Sequence, residues 1–342
     1  MRRTAMMVLA VSLAGNAEMR WRSLPDLPEA LGGQFAGVAG ECLATAGGSY
    51  WDKPPWEKGT KFWADTVYVL ERGAKAWRAA GKLPQPLAYG ASAVAGDGMV
   101  LFGGQTPSGF SKAVLQLTLK DGAVRIRRLA DLPGPLAMMS AAVTDTHVYL
   151  AGGQAESTPA RALGAFLAIP LGDLLAGKAA WRELPSWNGP ARLFAHAAAC
   201  GEQVYLAGGS DLTPGAGGSP VRRFLRDAHR YTPGRGWEVL PAMPREAQAG
   251  VAACPDGLFH VFGGSDGTLS EELRDRHPGF RLDILAYDPR SRRWNEAGRL
   301  PVSLVTTGIA RWGDEYVIPG GEDRPGHRSA KVVAARIERR TK

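Results

Sequence analysis

The chain has 342 residues, with 41 lysines and arginines against 33 aspartates and glutamates, a formal net charge of +8, and 45% hydrophobic residues. That apolar fraction, set among 44 glycines and 24 prolines, excludes a disordered chain and describes one turn-rich globular domain with a large core. The basic residues are scattered over many turns, and no nucleic-acid-binding module is visible, which sets nucleic acid aside as a partner and leaves a small acidic molecule compatible with the surface.

Residues 1–17 precede any repeated pattern. Arg2 and Arg3, an apolar run from Thr4 to Leu13 and the small residues around Gly15-Asn16-Ala17 have the form of a secretory signal, too short to span a bilayer. The expectation is a mature start near Glu18 and a periplasmic or secreted protein without membrane insertion; the alternative is an amino-terminal extension with Met19 as the true start. Cleavage would leave 39 basic residues against 33 acidic ones, a net charge of +6.

Trp21 with Leu24-Pro25 then opens a motif that returns as Trp77 with Leu83-Pro84, Trp181 with Leu184-Pro185, Trp237 with Met243-Pro244 and Trp294 with Leu300-Pro301. The segment RIRRLADLP keeps the proline turn but lacks the tryptophan near Arg127. Between these motifs, glycine pairs close short strand-like runs at Gly47-Gly48, Gly103-Gly104, Gly152-Gly153, Gly208-Gly209, Gly263-Gly264 and Gly320-Gly321. An apolar stretch after each proline turn, such as AYGASAVAG or LFAHAAACG, supplies a first strand; the glycine pair ends the second, and the tryptophan marks the fourth.

Successive glycine pairs are 49 to 57 residues apart. A period of about 50 residues, one four-stranded unit each, resembles the kelch repeat and implies an all-β, six-bladed kelch-type β-propeller spanning residues 18–342 as a single domain. The chain opens with a fourth strand around Trp21 and stops after a third, SAKVVAARIE. The amino-terminal strand is therefore expected to complete the last blade and cover its edge.

Strands of a blade alternate in direction, so the loop between the second and third strands opens on the same face as the connection to the next blade. Residues just after each glycine pair and each proline turn should surround one mouth of the central channel. Two loops there stand out. The blade-one loop, SYWDKPPWEKGTKFWAD, carries Trp51, Trp56 and Trp63 among Asp52, Lys53, Glu57 and Lys61, suited to stacking on a sugar beside polar anchors or to packing on its own aromatics. The blade-five loop from Ser265 to Arg281 reads as a solvated lid. In IPGGEDRPGHRSAKVV, Glu322 follows the last glycine pair and Arg328 returns across the Pro325-Gly326 turn, giving either a catalytic pair or a surface ion pair. Arg192 and Arg245 follow two proline turns and are candidate carboxylate clamps, with Tyr89 at a corresponding position as a hydroxyl partner. Packing around the channel is the alternative for each.

Three cysteines do not read as a framework: Cys200 and Cys254 end the first strands of neighbouring blades, at an expected separation too large for a bridge, and with Cys42 they are expected as buried small residues. The six histidines lie in different blades without ligand spacing, so no metal is implied.

The segments GEDRPGHRSA and AGGSYWDKPPWEKGTKFWADTVYVL are similar to those of the sialate mutarotases, or N-acetylneuraminate epimerases, with the blades in the order of their cyclically permuted branch. The resemblance implies interconversion of sialic acid anomers, with Glu322 and Arg328 as the catalytic pair. Mutarotation asks for a proton taken from the anomeric hydroxyl and one given to the ring oxygen, then the reverse, which one carboxylate can serve without a cofactor. Glu322 would be that acid/base. The planar fork of Arg328 suits a sugar carboxylate or a partnership with Glu322, while Arg192, Arg245, Tyr89, Trp51 and Trp56 would bind substrate. The competing readings are a kelch module that binds a protein, although no adaptor domain is visible in the sequence, and a lectin or isomerase for another acidic sugar.

Overall fold

The apolar runs that lead into the glycine pairs become second strands of six four-stranded antiparallel sheets in the computed structural model, which describes residues 17–339 apart from 159 and 216–218. The expected leader lies outside the described residues except for Ala17, which begins a strand. From the inside outward, blade one consists of Phe35–Ala39, Cys42–Trp51, Lys61–Leu70 and Arg78–Lys82. The other blades repeat this order around a common axis, making a six-bladed β-propeller. No helix among the described residues is long and apolar enough to cross a membrane.

Two sequence choices create the ring. Alanine recurs on the inner strands, at Ala91, Ala93, Ala141, Ala198 and Ala252 among others, and small side chains let six strands converge on a central channel of about 320 Å3. Bulk is placed instead in wedges between blades: Leu83, Leu87, Met99, Leu101 and Leu117 fill the wedge between blades one and two, and equivalent clusters fill the other five. Truncating one such leucine to alanine would cost about 2–5 kcal/mol.

The glycine pairs join neighbouring blades through the backbone. At Gly47 and Gly48 φ is 61° and 114°, and a Cβ on Gly47 would stand 2.1 Å from the Leu87 carbonyl oxygen. Glycine alone permits this approach, and it lets Gly48 donate its N–H to Leu87 O at 2.9 Å. The same link recurs at Gly104, Gly153, Gly209 and Gly321. The tryptophans add side-chain stitches: the indole N–H of Trp77, Trp237 and Trp294 donates to the carbonyl of Pro25, Pro185 and Pro241 in the preceding blade. Where the motif lacks its tryptophan, Arg127 reaches forward instead, donating to Leu175 O of blade three.

The last blade is closed by the amino-terminal strand. Ala17–Leu24 pairs antiparallel with His327–Arg339, in register from Ala17 opposite Arg339 to Leu24 opposite Val332. Arg22 on this strand holds Glu315 on the blade's second strand through two hydrogen bonds of 2.7 Å.

Two of the three cysteines depart from expectation. Cys200 and Cys254 form a disulfide with their Cα atoms 5.5 Å apart, while Cys42 is free and buried. The expected separation suits blades at mid-radius; at the axis, the ends of adjacent inner strands come within bridging reach.

Candidate functional site

The site is built on a ring that no side-chain motif announces. Gly33, Tyr89, Met138, Phe194, Ala249 and Thr306 stand at equivalent places before the six inner strands, and all have positive φ, between 53° and 72°. Each donates its N–H to the carbonyl of its counterpart in the preceding blade: Tyr89 to Gly33, Met138 to Tyr89, Phe194 to Met138, Ala249 to Phe194, Thr306 to Ala249 and Gly33 to Thr306, at 2.6 to 2.9 Å. The circle closes at the channel mouth. A left-handed conformation costs a non-glycine residue roughly 1–2 kcal/mol, which the shared hydrogen bonds offset. The residue before each ring member bridges to the residue after a glycine pair, and these form a second polar tier: Ser49, Gln105, Gln154, Ser210, Ser265 and Glu322. Glu322 is the only acidic member of that tier.

Arg328 stands opposite Glu322 on the blade-six hairpin, and its Nη1 lies 2.6 Å from Glu322 Oε1. The pair is largely sheltered, with side chains 9% and 16% exposed for Arg328 and Glu322. Beyond this ion pair the guanidinium donates from Nε to Ser49 O and from Nη2 to the Tyr89 hydroxyl, both at 3.3 Å, and that hydroxyl lies 2.8 Å from Ser49 Oγ. Gly32 leaves room for this cluster: a Cβ there would fall 2.6 Å from Arg328 Nε. Sequence reasoning brings Glu322, Arg328 and Tyr89 to the mouth but misses Ser49 and Gly32. Ser49 occupies in blade one the place Glu322 takes in blade six, directly after the glycine pair, and that positional signal was available.

The blade-one hairpin rises above the mouth. Its register sets Ser49 opposite Trp63, Tyr50 opposite Phe62 and Trp51 opposite Lys61. Alternation then places Ser49, Trp51, Lys61 and Trp63 on the side of Tyr89, with Tyr50 and Phe62 stacked on the reverse. Trp51 is therefore at the mouth. Trp56 is farther out, packed on the blade-six turn, where a Cβ on Gly326 would stand 2.7 Å from its ring. The Arg274 guanidinium of the blade-five loop lies 5.9 Å above that ring. Phe280 at the other end of the loop donates its backbone N–H to Ser303 Oγ. The blade-five loop thus touches the blade-one loop through Arg274, within its 3-10 segment Glu271–Arg276 that is kinked at that residue, and is tied down again near its end at Phe280.

Arg192 and Arg245 serve the corners of blades four and five. Arg192 is fully buried, donates to Gly208 O and to Asp227 Oδ2, and lies under the Trp187 ring. Arg245 repeats the arrangement with Gly263 O and Asp283. Burial raises the Asp227 pKa, but the hydrogen bonds of His229 and the charge of Arg192 outweigh it and hold the carboxyl at about 2. Both guanidiniums are committed to the protein and belong to the frame, not to the open site. Among the described residues no cluster of histidine, cysteine or acidic side chains is arranged to hold a metal ion.

The Kelch motif family model matches residues 248–301. The N-acetylneuraminate epimerase of Yersinia enterocolitica (serotype O:8 / biotype 1B) is 33% identical over 32% of this chain and 32% of its own length. That of Haemophilus influenzae (strain PittEE) is 26% identical over 47% of this chain and 49% of its own. The chain thus spans about a third to a half of the curated relatives it matches. The solved structure of YjhT superposes over 92% of this chain and 99% of that one with a TM-score of 0.68 at 16% identity, a likeness of fold.

Proposed function

We propose that the chain belongs to the kelch-repeat sialate mutarotase family and that it interconverts the anomers of N-acetylneuraminate by acid/base opening and closing of the sugar ring. The observation that carries the reading is the Glu322–Arg328 pair, sheltered at the mouth and held by Ser49 and Tyr89. Glu322 takes the proton of the anomeric hydroxyl and passes it to the ring oxygen as the ring opens, then takes it back from that oxygen and returns it to the new anomeric hydroxyl as the ring closes on the other face. Arg328 orients the carboxylate with a rigid fork that a lysine would not reproduce. Trp51 and Trp63 offer apolar faces to the sugar.

General acid/base catalysis by a placed side chain contributes about a hundred- to ten-thousand-fold. Glu322→Gln keeps the shape of the side chain, so it should lose that factor while still folding. The measurement is NMR of a freshly released pure anomer. Equilibration by Glu322→Gln at the wild-type rate would remove Glu322 from the chemistry, and sugar binding without acceleration by wild type would favour a lectin.

We also propose export to the periplasm or medium. The Cys200–Cys254 bridge supports it, since disulfides persist in oxidising compartments. Mass spectrometry of protein recovered from those fractions should show a start near Glu18; an intact Met1 would count against it.

A further inference from the structure

The mouth holds a second cation whose partners are rings and not carboxylates. Lys61 projects from the blade-one hairpin, and its Nζ lies 4.4 Å from the centroid of Tyr89, 4.5 Å from that of Trp63 and 6.0 Å from that of Trp51. Among the described residues no acidic side chain pairs with it. Arg328, the other cation that touches Tyr89, is committed on three sides, to Glu322, to the Ser49 carbonyl and to the Tyr89 hydroxyl.

The difference matters for an incoming anion. Ring faces attract an ammonium but offer it no strong acceptor, so its three N–H donors remain available. Arg328 would have to surrender Glu322 to grip a carboxylate, and surrendering Glu322 would undo the pair that positions the acid/base. Lys61 needs to release nothing. The two tryptophans beside it present the flat surface on which the apolar face of a sugar ring lies, with its charged substituent toward the ammonium.

Resting on the mutarotase reading for where the sugar lies, we infer that Lys61 is the specificity residue of this site: its caged ammonium receives the carboxylate of an acidic sugar, and Arg328 stays with Glu322. Lys61 then serves recognition and Arg328 positioning, while Arg222, a third cation at the mouth, donates to Ser210 Oγ and Gln248 Oε1.

The test is calorimetric titration of the full chain with N-acetylneuraminate and with neutral N-acetylmannosamine, using wild type, Lys61→Met and Lys61→Arg, alongside anomer-equilibration kinetics. Wild type should prefer the acid. Lys61→Met keeps the apolar stem and should lose at least about tenfold in affinity for the acid, the effect of one missing charged hydrogen bond, with no change for the neutral sugar. Lys61→Arg should recover most of that loss. In the kinetics Lys61→Met should raise KM and leave kcat near wild type, the mark of lost ground-state binding. A Lys61→Met variant that binds the acid as tightly as wild type, or loses the neutral sugar equally, overturns the inference. If wild type binds the acid through Lys61 but leaves the anomers at their rate in buffer, the inference holds and the mutarotase reading falls. If wild type accelerates equilibration while Lys61→Met keeps the wild-type KM, the reading holds and the inference falls. A wild-type protein that binds no acidic sugar overturns both.

Discussion

His196 stands at the start of the inner strand of blade four, 1% exposed. Burial first, and the nearby Arg245 charge second, push its pKa down to about 3. The unfolded chain takes up a proton near pH 6.5 that the folded chain refuses. Its contribution to stability is therefore complete above about pH 6.5 and is lost as pH falls from there toward 3. Over that window it adds a slope of about 1 kcal/mol per pH unit. Urea midpoints for wild type and His196→Gln, compared from pH 7 to pH 4, should show the variant less sensitive to acid by up to one proton; identical slopes would contradict the burial of a neutral imidazole. At this scale sequence reasoning succeeds where a residue's place follows from the repeat, bringing Glu322 and Arg328 together at the mouth. It does not reveal what holds Arg192 and Arg245. Their places at the mouth are legible, but the aspartates that claim them stand 35 and 38 positions further along the chain.

The strand that closes the ring is an element whose loss is measurable. Deleting residues through Leu24 bares the edge of His327–Arg339, leaves Glu315 without Arg22 and takes Trp21 away from Phe262. The melting temperature should fall by several degrees, as each kcal/mol moves the midpoint by about 2 °C in a chain of this size. A truncated protein that melts with the full chain would remove the clasp from the account of stability. Among elements, the six second strands and the closure are legible in the sequence because glycine pairs and a surplus fourth strand leave marks at fixed spacing. The Cys200–Cys254 bridge is not, because its geometry depends on radius: first strands of adjacent blades line the channel side by side, and the two Cα atoms stand 5.5 Å apart.

For the whole molecule, the period of the repeat specifies how many blades there are and in what order they stand. It does not specify the circle of backbone hydrogen bonds at the mouth. Gly33, Tyr89, Met138, Phe194, Ala249 and Thr306 share a conformation and no chemistry, so no pattern of residue types betrays them. That circle has an electrical consequence. A peptide group carries a dipole of about 3.5 D, and along a helix these dipoles add. Arranged nose to tail around a closed path, their tangential components cancel. The rim therefore imposes little field of its own along the channel axis, and the potential over the opening is written by charged side chains above it, among them Glu322, Arg328, Lys61 and Arg222, whose guanidinium donates to Ser210 Oγ and Gln248 Oε1. Each charge exchanged among those side chains therefore shifts the potential of the opening directly, with no opposing contribution from the rim.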